Sequence, residues 1–231
     1  MRVISLVPSV TETLLAWGVD VIACTRFCEQ PGLRHVGGTK DPDIAAIVGL
    51  RPDLVVVDRE ENRRDDADAL TGAAVPLHVT HVASLADVGP MLTALAAAVG
   101  AQAPDEPTWQ REPVWATAFV PIWKRPWMTV NRHTYGSSVL AAIGVKNVFD
   151  DHAATYPTVE PAEVSARRPS MVLLPSEPYP FAQRHVRQMA EAFPDSVPVL
   201  VDGQDLFWWG VRSEGAVGRL RAALHRALAP S

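Results

Sequence analysis

The segment MRVISLVPSVTETLLAWG, Met1 to Gly18, decides how the chain folds, because its pattern recurs further along. Val3 to Val7 is a short apolar run that is typical of a buried strand. Pro8 ends the run, since proline cannot donate a hydrogen bond to a sheet ladder. Ser9 or Thr11 is then expected to cap a helix that stops at the final glycine. A strand leading into a helix places hydroxyls and backbone N–H groups at one sheet edge, where ligands bind in open α/β sheets.

The chain repeats several landmarks at nearly constant spacing. An Arg-Pro pair followed by an apolar strand occurs at Arg51-Pro52 and again at Arg168-Pro169. The pairs Gly18 and Gly144, Pro52 and Pro169, and Pro76 and Pro198 are separated by 126, 117 and 122 residues (144 − 18, 169 − 52 and 198 − 76). This order predicts two similar lobes. Chance is the alternative, because Arg-Pro and Val-Pro are common pairs.

Strands and helices alternate along the chain, and the strands are continuous apolar runs, which indicates short parallel sheets flanked by helices. We therefore expect an α/β protein of two similar lobes, with residues 1–86 as the N-terminal lobe and residues 114–231 as the C-terminal lobe. Residues 87–113 are expected to form an interlobe helix and a linker, since the prolines of residues 101–113 cannot continue a helix. The loops that follow the strands are expected to line a ligand cleft between the lobes.

The composition is that of an ordinary folded protein, with 231 residues, of which 48% are hydrophobic and 20% charged. The formal net charge of −5 argues against a general nucleic-acid binder. No apolar run approaches the length of a membrane span, so we expect no membrane insertion, and we expect a monomer. Cys24 and Cys28 are able to pair, to bind metal or to lie buried. Burial is favoured, because no further cysteine and no His-x-x-x-His pair accompanies them.

Several segments together resemble the helical-backbone metal receptors, which are the class III periplasmic binding proteins that serve ABC importers. The residues that carry the resemblance are Arg2–Glu12, Val36-Gly37-Gly38, Arg51-Pro52-Asp53-Leu54-Val55, Trp127–Val130 with Gly136, Asn147-Val148-Phe149, and Arg168-Pro169 before Met171–Leu174. The likeness covers nearly the whole chain, and the cobalamin-binding branch looks most similar. Each segment alone is a weak signal, whereas the opening segment and the Arg-Pro-Asp-Leu-Val strand are fairly specific together.

The resemblance implies a protein that binds cobalamin, a related corrinoid or another metal chelate, such as haem or a ferric siderophore. It also implies an ABC transporter permease as the partner if the protein is exported. Known importers of this family carry a secretion signal or a lipid anchor, whereas Met1-Arg2 leads directly into the first strand here. We therefore expect a cytoplasmic protein as the sequence stands, and an extracytoplasmic one if a leader was removed.

Large, flat ligands need wide apolar faces, which aromatic side chains supply at low entropic cost. Aromatic residues are frequent in the predicted loops after the strands, and arginines there are able to bind amides, carboxylates or phosphates. The candidate ligand-binding residues are Pro8, Ser9, Arg26, Phe27, Arg59, Trp123, Arg132, Tyr135, Glu177, Tyr179, Phe181, Phe207, Trp208 and Trp209. Trp17 is expected in the core instead. The alternative is that several rings fill gaps in the core and that the arginines are solvated surface charges.

Three histidines and two glutamates are weaker candidates for a function. His81, His133 and His152 are possible axial ligands to iron or cobalt, but no pair of them has a convincing metal-ligand spacing. An ordinary polar loop role is more common for a lone histidine. By the resemblance, Glu61 and Glu214 are candidates for docking to a membrane transporter, with surface charge as the alternative.

An enzyme is the second class of function. The chain has no Gly-x-Gly-x-x-Gly turn, Walker loop or Gly-x-Ser-x-Gly elbow. A chelatase-like enzyme that inserts metal into tetrapyrroles uses a histidine and a glutamate, for which His133 and Glu177 are the pair to test. A cytoplasmic carrier or sensor of corrinoids would share the same cleft and differ only in its partner. A binding protein without a catalytic cofactor is the favoured interpretation.

Overall fold

The computed structural model describes residues 1–105 and 108–228. Residues 106–107 of the predicted linker and residues 229–231 of the predicted C-terminal lobe therefore lie outside the described residues. The described chain divides into two compact units. The first contains residues 1–82, 86–105 and 209–211, and the second contains residues 83–85, 108–208 and 212–228. The predicted lobe boundaries remain a prediction.

The first unit is built on a five-stranded parallel sheet. Its elements in chain order are β1 (Arg2–Ser5), α1 (Pro8–Ala16), β2 (Asp20–Cys24), β3 (Arg34–His35), α2 (Ile44–Leu50), β4 (Leu54–Asp58), α3 (Arg64–Gly72), β5 (Leu77–Thr80) and α4 (Val88–Val99). The strand order is β3-β2-β1-β4-β5, and all neighbouring strands are parallel. The carboxyl ends of the strands therefore share one edge, which places the loops after β1, β2 and β4 side by side.

The core of the first unit is aliphatic. Ile4 of β1 and Val55 of β4 are fully buried, and they cluster with Ile47 of α2 and Leu70 of α3. Burying one such side chain contributes about 1.5–3 kcal/mol. The central strands β1 and β4 are thus firmly held, and the loops at their carboxyl ends start from well-packed residues.

The second unit is built on a four-stranded parallel sheet. Its elements are β6 (Ala116–Phe119), α5 (Tyr135–Ala142), β7 (Val145–Asn147), α6 (Pro161–Arg167), β8 (Met171–Pro175), α7 (Gln183–Ala192), β9 (Val197–Val201), α8 (Gly203–Phe207) and α9 (Ser213–Leu228). The strand order is β7-β6-β8-β9. Two parallel sheets with flanking helices confirm the predicted α/β fold class.

Aromatic rings fill the core of the second unit. Phe119 at the end of β6 packs edge to face on Phe149 and Phe193, with ring centres 5.8 and 6.0 Å apart. Val172 and Leu174 of β8 complete the same buried cluster. The loops after β6 and β8 therefore leave the sheet directly above this core.

The Arg-Pro pair stands at the C-terminal end of a helix in both units. Arg51 ends α2 and Arg168 ends α6, and both adopt the left-handed conformation with φ of 49° and 47°. A non-glycine residue in this conformation is uncommon. The following proline does not continue the helix. Equivalent helix ends at both landmarks support the prediction of two similar lobes.

Some local predictions were wrong. Pro8 opens α1 rather than only ending β1, because its fixed φ suits the first turn of a helix. The capping residue is the one before it, and neither Ser9 nor Thr11 caps the helix. The apolar segment Trp127–Val130 also predicts a strand, but its Met128 forms isolated bridges to Trp123 and Thr158 instead.

Short elements and one core assignment were also missed. Strand β3 and helix α8 are two and five residues long, which is too short for a periodic pattern to show. Trp17 is half-buried at the end of α1 and does not belong to the core. Within the described ranges, no helix is long and apolar enough to cross a membrane.

Candidate functional site

The loop after β2 holds a buried polar cluster at the carboxyl edge of the first sheet. The hydroxyls of Thr11 and Thr25 each lie 3.2 Å from the Sγ of Cys28. The backbone N–H of Cys28 donates to the carbonyl of Thr25 at 3.2 Å and closes the turn. Cys28 is 3% exposed, Cys24 is fully buried, and both are free thiols. The prediction that these cysteines are buried is confirmed.

Cys24 and Cys28 differ in acidity, because the thiol of Cys24 stabilises the thiolate of Cys28. A hydrogen bond with Cys24, together with the hydroxyls of Thr11 and Thr25, lowers the pKa of Cys28 to about 6 against the opposing effect of burial. The same hydrogen bond, burial and the neighbouring charge raise the pKa of Cys24. The loop therefore contains a buried thiol that ionises more readily than an ordinary cysteine.

Arg26 and Phe27 occupy the exposed side of the same loop. The Nη2 of Arg26 lies 2.9 Å from a carboxylate oxygen of Asp41, and its guanidinium carbon lies 4.8 Å from the ring centre of Phe27. Phe27 is 50% exposed. The charge of Arg26 is thus already paired, whereas Phe27 presents an open apolar ring at the sheet edge.

The loops after β1 and β4 contribute the remaining candidates of the first unit. Pro8 and Ser9 are buried in the first turn of α1, whereas Arg59 is exposed directly after β4. The carboxylate of Asp58 accepts a hydrogen bond from the backbone N–H of Glu61 at 3.3 Å. Crowding by protein atoms, and then the charge of Asp58, raise the pKa of Glu61, although its side chain still reaches solvent.

The loops after β6 and β8 meet in an aromatic cluster at the carboxyl edge of the second sheet. Trp123 and Tyr179 pack edge to face with ring centres 5.5 Å apart, and Tyr179 lies 4.7 Å from Phe181. Trp127 stacks on Phe181 at 6.3 Å, and His185 of α7 lies 5.7 Å from Tyr179. Trp123 is 46% exposed and Phe181 is 5% exposed. The cluster therefore offers only its outer rings to a ligand.

The polar loop before α5 is fixed by Asn131. Its Nδ2 donates to the carbonyl of His152 at 3.0 Å, and its Oδ1 accepts from the backbone N–H of His133 at 2.8 Å. Arg132 and His133 are exposed, and the Nε of Arg132 lies 3.3 Å from the Nε2 of His133. Asn131 thus places two neighbouring candidates at the surface of the same loop.

Two aromatic candidates that were expected in loops belong to helices. Tyr135 is the first residue of α5, is 6% exposed, and its hydroxyl donates to Ser213 at 2.9 Å. Burial raises the pKa of Tyr135 to about 12. Phe207 ends α8 and packs so closely that a Cβ added to Gly136 would stand 2.7 Å from its ring. These rings join α5 to its neighbours, and their roles in ligand binding remain predictions.

A buried ion network supports the chain around Trp208. The side chain of Asp205 is 4% exposed and lies 3.1 Å from Arg212 and 2.6 Å from Arg219. The guanidinium carbon of Arg212 lies 5.2 Å from the ring centre of Trp208. Trp209 is 5% exposed and belongs to the first unit. No local sequence pattern indicates this network, because the partners of Asp205 are 7 and 14 residues away.

The histidine candidates are single polar residues. His81 follows β5 and has a buried Nδ1 that lacks a hydrogen-bond partner among the described residues. The Nδ1 of His152 accepts from the backbone N–H of Ala154 at 3.1 Å. In the ranges 1–105 and 108–228, no group of three or more His, Cys, Asp or Glu residues could hold a metal ion. Their roles as axial ligands remain predictions.

Comparison with known sequences identifies relatives along most of the chain. No protein-family model matches it. The vitamin B12-binding protein of Pectobacterium carotovorum subsp. carotovorum (strain PC1) is 25% identical over 238 residues, which cover 89% of this chain and 81% of that protein. The vitamin B12-binding protein of Yersinia pestis (strain Pestoides F) is 26% identical over 192 residues, which cover 75% of this chain and 69% of that protein.

Comparison with solved structures gives the same fold. The periplasmic vitamin B12 binding protein BtuF of Vibrio cholerae matches with a TM-score of 0.77 and 19% identity, covering 99% of this chain and 98% of that one. The periplasmic heme-binding protein BhuT, in complex with two hemes, matches with a TM-score of 0.80 and 20% identity, covering 99% of both chains.

The fold is that of the class III periplasmic binding proteins. Within that class, the sequence relatives are vitamin B12-binding proteins, so the resemblance to the cobalamin-binding branch is confirmed. These relatives are named as binding proteins and not as enzymes. The comparison therefore favours a binding function over a catalytic pair of His133 and Glu177.

Proposed function

We propose that the chain binds a metal chelate, with cobalamin or a related corrinoid as the first candidate, and serves an ABC importer as its substrate-binding protein. The observation that carries the proposal is the similarity to a vitamin B12-binding protein along 89% of the chain. Haem is the alternative ligand, because a structural neighbour that covers 99% of the chain is a heme-binding protein.

Exposed aromatic rings at the carboxyl edges of both sheets support the proposal. Phe27 in the first unit and Trp123 in the second are 50% and 46% exposed. Exposed rings of this size lose little rotamer freedom on binding, and covering them with a large apolar ligand is favourable. Arg59 and Arg132 lie in loops at the same edges and are exposed, so they are able to donate to polar groups of the ligand.

A titration of the purified protein with cobalamin, haem and a ferric siderophore tests the ligand. We expect micromolar or tighter binding of cobalamin by calorimetry. Visible absorbance reports on direct ligation, because the spectrum shifts only if an axial ligand of the metal changes. Failure of all three compounds to bind would contradict the proposal, and binding of haem alone would replace the corrinoid by the alternative.

We further propose an extracytoplasmic location and a permease partner, because the matching structures are those of periplasmic proteins. Glu61 and Glu214 are both exposed and are the proposed docking residues. Charge reversal by Glu61→Lys and Glu214→Lys is expected to lower chelate transport by the reconstituted importer while leaving chelate affinity unchanged. Glu191→Lys, at another exposed glutamate, is the matched control. Equal transport by all three variants would contradict the docking role.

A further inference from the structure

A cluster of cations borders the exposed rings of the second unit. Lys124 and Arg125 directly follow Trp123 in the loop after β6, and Arg184 lies in the first turn of α7. Arg125 and Arg184 are exposed, and Lys124 is half-buried. We call Lys124, Arg125 and Arg184 the basic cluster. It stands at the carboxyl edge of the second sheet, because the loops after β6 and β8 both lie there.

A hydrogen bond fixes the basic cluster against α7. The Nζ of Lys124 donates to the Oε1 of Gln188 at 2.5 Å and lies 5.7 Å from the ring centre of Trp127. Gln188 comes four residues after Arg184, so both side chains lie on the same face of the helix. Lys124 is therefore held beside Arg184.

The electrostatics agree with this placement. Burial, and then the charges of Arg125 and Arg184, lower the pKa of Lys124. Burial, Arg184 and Lys124 also lower the pKa of His185, the next residue of α7. The three cations are thus close enough to act electrostatically on one another and on the imidazole of His185, which packs on the aromatic cluster.

Within the part of the chain that the structure describes, no carboxylate forms an ion pair with the basic cluster. The ion pairs there use other cations. The first turn of α7 has no acidic residue, so the positive end of the helix dipole adds to the electrostatic repulsion among the three cations. In a protein with a net charge of −5, such a concentration of positive charge beside open rings attracts an anion.

We propose that the basic cluster, with the rings of Trp123 and Tyr179, is a subsite for an acidic group on the edge of a flat, largely apolar chelate. The acidic group is a carboxylate or a phosphate. This inference rests on the proposed function, because it takes the chelate as the ligand and adds which part of it the second unit recognises.

The residue types suit both parts of such a ligand. The outer rings cover an apolar face, whereas a guanidinium is able to form two parallel hydrogen bonds to a carboxylate or phosphate. Lys124 adds a point charge whose partial burial strengthens attraction to an anion. Gln188 holds that ammonium group in place without neutralising it.

Two pairs of probes separate the acidic group from the rest of the ligand. Haem is compared with its dimethyl ester, in which the carboxylates are blocked. Cyanocobalamin is compared with dicyanocobinamide, which lacks the phosphate-linked nucleotide. We expect the acidic member of the pair that is recognised to bind at least about tenfold more tightly, and its affinity to fall as salt is added.

Variants assign that preference to the basic cluster. The double variant Arg125→Gln and Arg184→Gln is expected to weaken binding of the recognised acidic probe by about 100-fold and of its neutral counterpart by less than about threefold. Arg111→Gln is the matched control, because Arg111 is exposed in the same unit and precedes β6, at the amino end of the strand. It should change neither affinity.

The outcomes separate this inference from the function on which it rests. A loss confined to haem assigns the subsite to carboxylates, and a loss confined to cyanocobalamin assigns it to phosphate. Equal losses for the acidic and neutral members of both pairs would overturn the subsite while leaving chelate binding intact. Failure of all four probes to bind would overturn both.

Discussion

Trp123 carries the most exposed aromatic ring among the candidates of the second unit. It is 46% exposed and rests edge to face on Tyr179. We predict that Trp123→Ala weakens chelate binding by about tenfold or more. The free energy of unfolding should fall only modestly, because about half of the ring is already in solvent. Calorimetry and urea unfolding measure the two effects.

Trp17 provides the matched control for Trp123. It is half-buried at the end of α1, at the opposite edge of its sheet from the candidate loops. Trp17→Ala should therefore destabilise the protein and leave the affinity of the folded fraction unchanged. Equal affinities in the two variants would remove Trp123 from the binding surface.

Cys28 and Cys24 should give stability a maximum near the ordinary thiol pKa of 9.0. Between about pH 6 and pH 9, the folded protein has lost a Cys28 proton that the unfolded chain still holds, so stability rises with pH. Above that range the folded protein keeps a Cys24 proton that the unfolded chain loses, so stability falls. Urea unfolding across this pH range measures the change.

Two substitutions test the assignment of that pH dependence. Cys28→Ser removes the ionisable thiol, and the rise in stability towards pH 9 should shrink. Thr11→Val removes one hydroxyl that supports the thiolate, so the rise should begin at a higher pH. If the profiles of Cys28→Ser and the natural protein coincide, the thiol pair has no part in the pH dependence.

Helix α8 contains a buried carboxylate, that of Asp205, which forms ion pairs with arginines outside the helix. Asp205 is 4% exposed and pairs with Arg212, which is 15% exposed. We predict that Asp205→Ala lowers the free energy of unfolding by about 3 kcal/mol, because it removes a buried carboxylate together with its ion pair to Arg212. Arg219 contributes less, since it is 57% exposed and water solvates it. Chemical denaturation measures the loss.

The pair of Asp151 and Arg167 is the control for this ion network. Its oxygen and nitrogen lie 2.7 Å apart, but Asp151 is 67% exposed. Asp151→Asn should therefore destabilise far less than Asp205→Ala. A similar loss in both variants would show that burial does not decide the strength of these pairs.

Close packing of α5 on α8 leaves no room for a methyl group. A Cβ on Gly136 would stand 2.7 Å from the ring of Phe207, so Gly136→Ala should cost about 1–3 kcal/mol in thermal or urea unfolding. Gly49 in α2 has nothing within 4 Å of the same position. Gly49→Ala should instead stabilise by about 0.5–1 kcal/mol. A neutral Gly136→Ala would mean that Phe207 moves freely.

The sequence was informative about elements that have long apolar runs or that are clearly bounded by proline or glycine. The sequence predicts a strand over residues 77–80 and helices over residues 87–99 and 214–228. Strand β5 has the predicted bounds, and α4 and α9 begin within one residue of theirs. Helix α8 was missed because five residues show no period, and its stabilising contact comes from Arg212 on a later segment. Tyr135 and Phe207 were assigned to loops, because the polar residues beside them hide the ends of the short helices α5 and α8.

At the scale of the whole molecule, binding should be visible as stability. A ligand that binds only the folded protein stabilises it by about 2.7 kcal/mol at 100 times its dissociation constant. Cobalamin should therefore raise the unfolding temperature in a concentration-dependent way. A constant temperature, together with measurable binding, would mean that the unfolded chain binds the compound equally well.

The repeat predicted two similar lobes. Phe27, Arg59 and Trp123 lie in segments after strands, as expected, whereas Tyr135 and Phe207 belong to helices. What the sequence could not give was which side chains within a loop are open. Phe181 and Tyr179 are two residues apart, yet Phe181 is buried in the core and Tyr179 is only half-buried. That difference depends on the stacking of Phe181 on Trp127, a contact that no local pattern encodes.

Residues 209–211 belong to the first compact unit, although the chain on both sides of them belongs to the second. The backbone N–H of Val211 donates to the hydroxyl of Thr13 on α1 at 3.3 Å, and Gly210 lies against the same hydroxyl. If the first unit were expressed by itself and ended near residue 105, it would lack residues 209–211. The part of α1 that these residues cover would then be exposed. Such an engineered half needs the tripeptide restored as an appended C-terminal tail.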